Sequence, residues 1–201
     1  PTGEKHQKLV LTPEKKNIAY SVNTNVSYNA IGCVYKKVSG VLRVAKQIVT
    51  SEYIWDNIRL KGGAYGGGCG FLNGHYFYMY SYRDPNINKS YEVFKNVGNY
   101  LSEIDMDEKH LNRFIIGAVN VEDAPLKNNR INSIVLRRHY NGVTQERLDL
   151  RREEMLSVSL NDIREVGQEL TTAMENIVMS TVSDQKSIEK SELFKNIIVV
   201  K

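Results

Sequence analysis

Six of the chain's 14 glycines fall within Ile58-Arg59-Leu60-Lys61-Gly62-Gly63-Ala64-Tyr65-Gly66-Gly67-Gly68-Cys69-Gly70, and an arginine and a tyrosine stand among them. A phosphate loop would use such glycines to turn backbone N–H groups toward an anion. That chemistry needs Gly-Lys followed by Ser or Thr and then a helix. A dinucleotide site likewise needs phosphates at the start of a following helix. Here the run leaves a helix and enters a strand, so the nucleotide readings fall away. Two remain. The glycines serve close packing and unusual backbone angles, or they line a strand that another extended backbone approaches and pairs with. The packing reading leaves Arg59 and Tyr65 without a role.

Other constellations are weaker. His6, His75, His110 and His139 lie far apart, and none belongs to a His-Glu-x-x-His or inverted His-x-x-Glu-His pattern. Ser51 and Ser81 lack the glycine setting of a nucleophile elbow. Arg137-Arg138-His139-Tyr140 and Arg151-Arg152-Glu153-Glu154 read as solvated helical faces. Cys33 and Cys69 are too few for a disulfide scaffold or a four-thiolate zinc site, and read as reduced, part-buried thiols.

The elements around the glycines follow from periodicity. Ile18, Tyr20, Val22, Val26, Tyr28 and Ala30 alternate with polar neighbours, which predicts one or two strands before Val34. Val41, Val44, Ala45, Ile48, Val49, Tyr53, Ile54 and Ile58 recur every three or four residues. They predict a helix from Ser39, its N-cap, to Arg59, stopped at Gly62-Gly63. Gly70–Tyr82, centred on Asn73-Gly74, reads as a hairpin with a type I′ turn. Asp84-Pro85-Asn86 then breaks the chain.

Helical faces follow at Tyr91–Ile104, at Lys109–Val121 with Asp107 or Asp105 as cap, at Gln145–Met155 and at Leu160–Met174. Ile177–Val182 and Ile197–Val200 read as closing strands. The order predicts an α+β fold, an antiparallel sheet covered by helices, ahead of a doubly wound parallel sheet.

Composition sets the outer bounds. At 201 residues, with 41% hydrophobic and 25% charged residues, the chain can bury a core and should fold. Its net charge of +4 is scattered, so nucleic acid is not implied. No apolar run approaches a membrane span, and the chain reads as soluble. Residues 1–16 are polar and read as a linker or the cut end of a longer chain; residues 17–201 read as one domain.

Tyr53-Ile54-Trp55-Asp56-Asn57-Ile58-Arg59-Leu60-Lys61-Gly62-Gly63-Ala64-Tyr65-Gly66, followed by Ser81-Tyr82-Arg83-Asp84-Pro85-Asn86, closely resembles the C-terminal half of the presequence-protease branch of the pitrilysin and insulinase zinc peptidases, which includes falcilysin. The resemblance extends over most of residues 17–201. It implies the last of four similar α+β domains, which close as two halves on a chamber where unfolded peptides are degraded. Zinc would sit in the N-terminal half of the same polypeptide, and this segment would bind none and be inactive alone.

The resemblance assigns Arg59 and Tyr65 as residues supplied across the chamber to that zinc site, where a guanidinium fork holds a carbonyl or carboxylate and a phenol donates to the developing oxyanion. Gly62, Gly63, Ala64 and Gly66 join Arg59 and Tyr65 as the expected peptide-binding wall. Arg83, Asp84 and Pro85 are expected to be structural, with Arg83 and Asp84 fixing the turn after the hairpin, ahead of the alternative of direct substrate contact. Bacterial cytoplasm, mitochondrion, plastid or apicoplast all suit the resemblance. The alternative is a non-catalytic interaction or scaffold subunit of the same fold.

Overall fold

The computed structural model describes residues 17–37, 39–72 and 75–200. The expected linker at 1–16 and the Asn73-Gly74 turn lie outside the described residues. Strands β1 (Ile18–Ser21) and β2 (Ser27–Val34) lead into helix α1 (Val41–Ile48), which continues without a break as a π-helical segment, Val49–Leu60. The hairpin β3 (Gly66–Leu72) and β4 (Tyr76–Asp84) follows. Helices α2 (Asn88–Lys95), α3 (Val97–Ser102), α4 (Glu108–Glu122), α5 (Asn128–Tyr140), α6 (Gln145–Leu156) and α7 (Leu160–Met174) come next. Strand β5 (Val178–Ser183), short helix α8 (Gln185–Ser191) and strand β6 (Asn196–Val199) complete the described chain.

The strands form one sheet in the order β3-β4-β2-β5-β1-β6. The α+β class stands. The sheet is antiparallel from β3 through β4 and β2 to β5, whereas β1 runs parallel to both β5 and β6. A parallel pair of strands needs a crossover between them, and α8 provides it between β5 and β6.

Alternation along each strand sends one set of side chains to the helices. Ile31, Cys33, Cys69, Phe77, Met79, Ala19 and Met179 are buried there with Ile48, Ile54, Ile58, Phe94, Leu101, Ile163, Leu170 and Ile188. Helices α1, α2 and α7 and the π segment pack on β2 and β3, and α8 packs on β1 and β5. Tyr91 is also buried, and its hydroxyl donates to the Ser180 carbonyl at 2.6 Å, so the ring's polar end keeps a partner. Among the described residues, no helix is long and apolar enough to cross a membrane.

Several helix starts match their sequence signals. Asp107 accepts from the His110 amide at 2.7 Å, and Ser159 forms a reciprocal capping box with Asp162. Ser39 does not cap α1. Gly40 holds that position, and its N–H donates to the Glu154 carboxylate of α6. A Cβ at Gly40 would lie 2.3 Å from the Arg151 carbonyl, so close approach of α6 requires glycine and a remote carboxylate replaces the local hydroxyl. The apolar face at Tyr91–Ile104 is divided between α2 and α3, with Asn96 at the break.

Arg151 departs from the solvated face expected of its cluster. Its side chain is only 12% exposed and pairs at 3.1 Å with Glu122, which Arg43 also approaches at 3.7 Å. By contrast, α5, with Arg137 and Arg138, buries no residue.

Candidate functional site

The π segment ends with the Lys61 amide bonded to the Asp56 carbonyl, a five-residue step. Such winding is rare and concentrates at functional sites. The chain then closes as a widened Schellman cap: the Gly63 N–H reaches the Arg59 carbonyl and the Ala64 N–H reaches the Ile58 carbonyl, each at 3.0 Å. Gly63 has φ +78, the left-handed conformation that favours glycine. The side-chain amide of Asn86 donates to the Gly62 carbonyl at 2.6 Å.

Directly after this turn β3 begins, at the end of the sheet, with β4 as its sheet neighbour. Gly66, Gly67, Gly68 and Gly70 therefore belong to the edge strand itself. On the face away from the helices, Gly66, Gly68 and Gly70 pair with Tyr82, Tyr80 and Tyr78. A Cβ at each glycine would fall within 3 Å of the opposite tyrosine's ring or hydroxyl. The phenol ends thus lie over the edge strand. Gly67 faces the other way, where a Cβ would meet the Tyr80 carbonyl at 2.7 Å and Ile54 at 3.0 Å. Close packing accounts for these glycines, and the strand they form keeps its outer edge free of any described strand.

Arg59 and Tyr65 flank the turn, and both are exposed, Tyr65 by 59%. The Arg59 guanidinium lies 4.2 Å from the centroid of the Trp55 ring, one turn back along the helix. Tyr65 packs 5.5 Å from the Tyr82 ring, and its N–H donates to the Arg83 carbonyl at 3.2 Å. Gly63 is exposed and Gly62 half-buried, whereas Ala64 and Gly66 are buried.

The open face of the sheet carries Tyr76, Tyr78, Tyr80 and Tyr82 on β4, Tyr28 and Val34 on β2 and Val178 on β5, all exposed. None is charged. A charge reaches this face at Arg83, whose guanidinium sits 5.5 Å from the centroid of the Tyr65 ring.

Asp84 is fully buried. Its carboxylate accepts from the Asn86 amide at 2.8 Å, the Ser90 hydroxyl at 2.6 Å and the Asn29 side-chain amide at 3.3 Å. Asn29 in turn donates to the Asn86 carbonyl and accepts from Thr181. This network fixes the turn after the hairpin, the role expected of Asp84. Sequence reasoning did not single out Asn29, Trp55 or the tyrosine row as parts of the site. The row was visible as a strand pattern, but its contact with the glycines depends on register.

Cys33 and Cys69 are free and buried, and burial pushes both thiols up to about 11. They are poor nucleophiles. Among the described residues no group of three or more His, Cys, Asp or Glu side chains is placed to hold a metal ion. A cleft of about 650 Å³ lies elsewhere, lined by residues including Arg43, Arg137, Arg138, Arg147 and Leu148, and does not include Arg59 or Tyr65.

Residues 17–184 match the family model for the PreP C-terminal domain. The chain belongs to this family. Among its relatives, Protein HypA of Clostridium perfringens is 32% identical over 188 residues, covering 91% of this chain and 19% of that protein. Presequence protease 1, chloroplastic/mitochondrial, of Arabidopsis thaliana is 32% identical over 181 residues, covering 87% of this chain and 17% of that protein. The chain therefore spans less than a fifth of the length of these relatives.

Solved structures agree on the fold. A peptidase M16 inactive domain from Pseudomonas fluorescens superposes with a TM-score of 0.64 at 11% identity, covering 89% of this chain and 46% of that one. A protease from Helicobacter pylori superposes with a TM-score of 0.65 at 12% identity, covering 89% and 48%. The likeness to PreP C-terminal domains thus rests on sequence, and the likeness to M16 peptidase domains on architecture.

Proposed function

We propose that this chain is the substrate-facing C-terminal domain of a zinc metalloendopeptidase that degrades unfolded peptides in a closed chamber. The observation that carries the reading is the placement of Arg59 and Tyr65, both exposed, on either side of the turn that starts a glycine-built edge strand. An edge strand offers unpaired N–H and C=O groups to an extended peptide. The tyrosine-rich face beside it suits segments that have lost their folded partners.

In this reading Tyr65 donates its phenolic hydrogen to the oxygen of the scissile carbonyl as negative charge develops there. Arg59 leaves the Trp55 ring and offers its planar fork to a neighbouring carbonyl or carboxylate of the peptide. The metal, held by the N-terminal half of the polypeptide, supplies the activated water. The 201-residue chain by itself cleaves nothing.

The test uses the full-length protein. Tyr65→Phe and Arg59→Ala are each expected to lower kcat on the order of 10²-fold to 10³-fold, the usual effect of removing one transition-state donor, with zinc content unchanged. Unchanged turnover in both variants would move the chain to the class of interaction subunits. Metal-dependent hydrolysis by the 201-residue chain alone would sink the assignment of the chemistry to another domain.

A further inference from the structure

We infer that Arg83 is the positioning residue for Tyr65, delivered to it by a bulge in β4. This rests on the reading of Tyr65 as a donor given above. The bulge is visible in the register: Asn29 pairs with Ser81 and Ser27 pairs with Asp84, so two steps along β2 are matched by three along β4. One extra residue changes which face every later side chain takes. Tyr82 and Arg83 are consequently both exposed, and Asp84 is buried. Strict alternation would have sent Arg83 into the helix layer and Asp84 into solvent.

Arg83 carries the backbone cost of this arrangement. Its φ of +50 lies in the left-handed region, which non-glycine residues seldom occupy. An arginine kept where glycine would be easier points to a use for its side chain. That side chain reaches the Tyr65 ring, 5.5 Å from guanidinium carbon to centroid, while its own carbonyl accepts the Tyr65 N–H at 3.2 Å. The bulged residue therefore holds Tyr65 by backbone and by ring face at once. Contact through the ring face does not occupy the phenolic hydroxyl and leaves it available to a peptide.

The competing explanation is that the bulge only steers the chain into Pro85 and that Arg83 is an ordinary surface cation. Arg83→Gly separates the two, because glycine accepts the left-handed backbone, keeps the carbonyl that the Tyr65 N–H reaches, and removes the side chain with its guanidinium. Arg83→Lys restores a cation. Crystal structures of the full-length variants, with kcat and KM, give the readouts.

Arg83→Gly is expected to displace the Tyr65 ring and to lower kcat by about 10-fold to 10²-fold, the range expected when a reacting group is misplaced by about 1 Å, with KM nearly unchanged. Arg83→Lys should recover part of both. In a Tyr65→Phe background, Arg83→Gly should lower kcat no further. An undisplaced Tyr65 ring would overturn the inference, and so, where Tyr65→Phe itself lowers kcat, would full kcat in Arg83→Gly, an effect confined to KM, or full additivity with Tyr65→Phe. A displaced ring together with a Tyr65→Phe variant of normal kcat would uphold the positioning by Arg83 and refute the donor role of Tyr65 instead.

Discussion

Asn86 donates its side-chain amide to the carbonyl of Gly62, joining the turn that leaves the hairpin to the turn that enters it. The first turn is anchored in turn by Asp84, whose carboxylate has three donors and no exposure. Two sequence motifs thus behave as one structural unit. Asp84→Ala would remove the acceptor of the Ser90 hydroxyl and the Asn86 N–H, at about 1–3 kcal/mol for each buried group, whereas the Asn29 side-chain amide keeps the Asn86 carbonyl and the Ser81 hydroxyl. Urea unfolding should therefore show a loss on the order of 3 kcal/mol or more. Asn86→Ala, which also loses a bond to Gly62, should cost about 1 kcal/mol. A loss for Asp84→Ala no larger than that for Asn86→Ala would show that the network is solvated.

The glycines of β3 should not be equivalent. Gly67→Ala drives a methyl into the Tyr80 backbone carbonyl, which can yield only if the strands move apart, at a cost of about 1–3 kcal/mol. Gly68→Ala meets the tip of the Tyr80 side chain, which can swing into solvent, and should cost less than about 1 kcal/mol. Thermal unfolding of the two variants gives the order, and the reverse order would contradict the packing described for β3.

Trp55 is the one tryptophan of the 201 residues, so its emission reports on Arg59. Removing the guanidinium from above the ring in Arg59→Ala should shift emission to the red and increase acrylamide quenching. The change in stability should stay within about 1 kcal/mol, as for an exposed cation–π pair. Identical spectra would mean that Arg59 does not rest on Trp55 in solution.

Stability should be lost in alkali. Burial raises Cys33 and Cys69 from 9.0 to about 11 and Tyr53 from 10.0 to about 12, and it also raises Tyr35, Tyr91 and Tyr100. Above about pH 9 the unfolded chain therefore releases protons that the native chain keeps. Binding fewer protons in the unfolded state makes stability fall as pH rises. The urea midpoint should be flat with respect to these groups below pH 8 and decline between pH 9 and 11, and Cys69→Ser should flatten part of the decline. Thiol reagents should label both cysteines slowly at pH 8 until urea is added. Rapid labelling of the native chain would contradict their burial.

What the sequence made legible was largely local. Asp107 announces its helix because a cap is decided within one turn, and the hairpin announces itself through alternating aromatics around Asn73-Gly74; the Ser159–Asp162 capping box is equally local but was not singled out. The π winding of Val49–Leu60 was hidden, because Tyr53, Ile54 and Ile58 also satisfy an α-helical stripe and the difference lies in each backbone hydrogen bond reaching one residue further along the chain. Gly40 was hidden because its reason is the backbone of α6, more than a hundred positions away. The edge position of β3 could not be read either, since strand order depends on partners remote in the chain. Arg59 and Tyr65 were named from a motif; what holds Tyr65 came from register and a bulge, and what Arg59 rests on came from the helical turn that carries Trp55.

The parallel placement of β1 has a consequence for synthesis. Asn17, beside β1, bonds to Met179 across 162 positions, and β1 is flanked by β5 on one side and β6 on the other. A ribosome making this chain exposes Ile18–Ser21 long before either neighbour exists. Those residues cannot take up their native pairing until β5 and β6 have been made, and such long-range closure is slow. Aggregation during translation, more than unfolding afterwards, is where a lesion in β6 should first be felt.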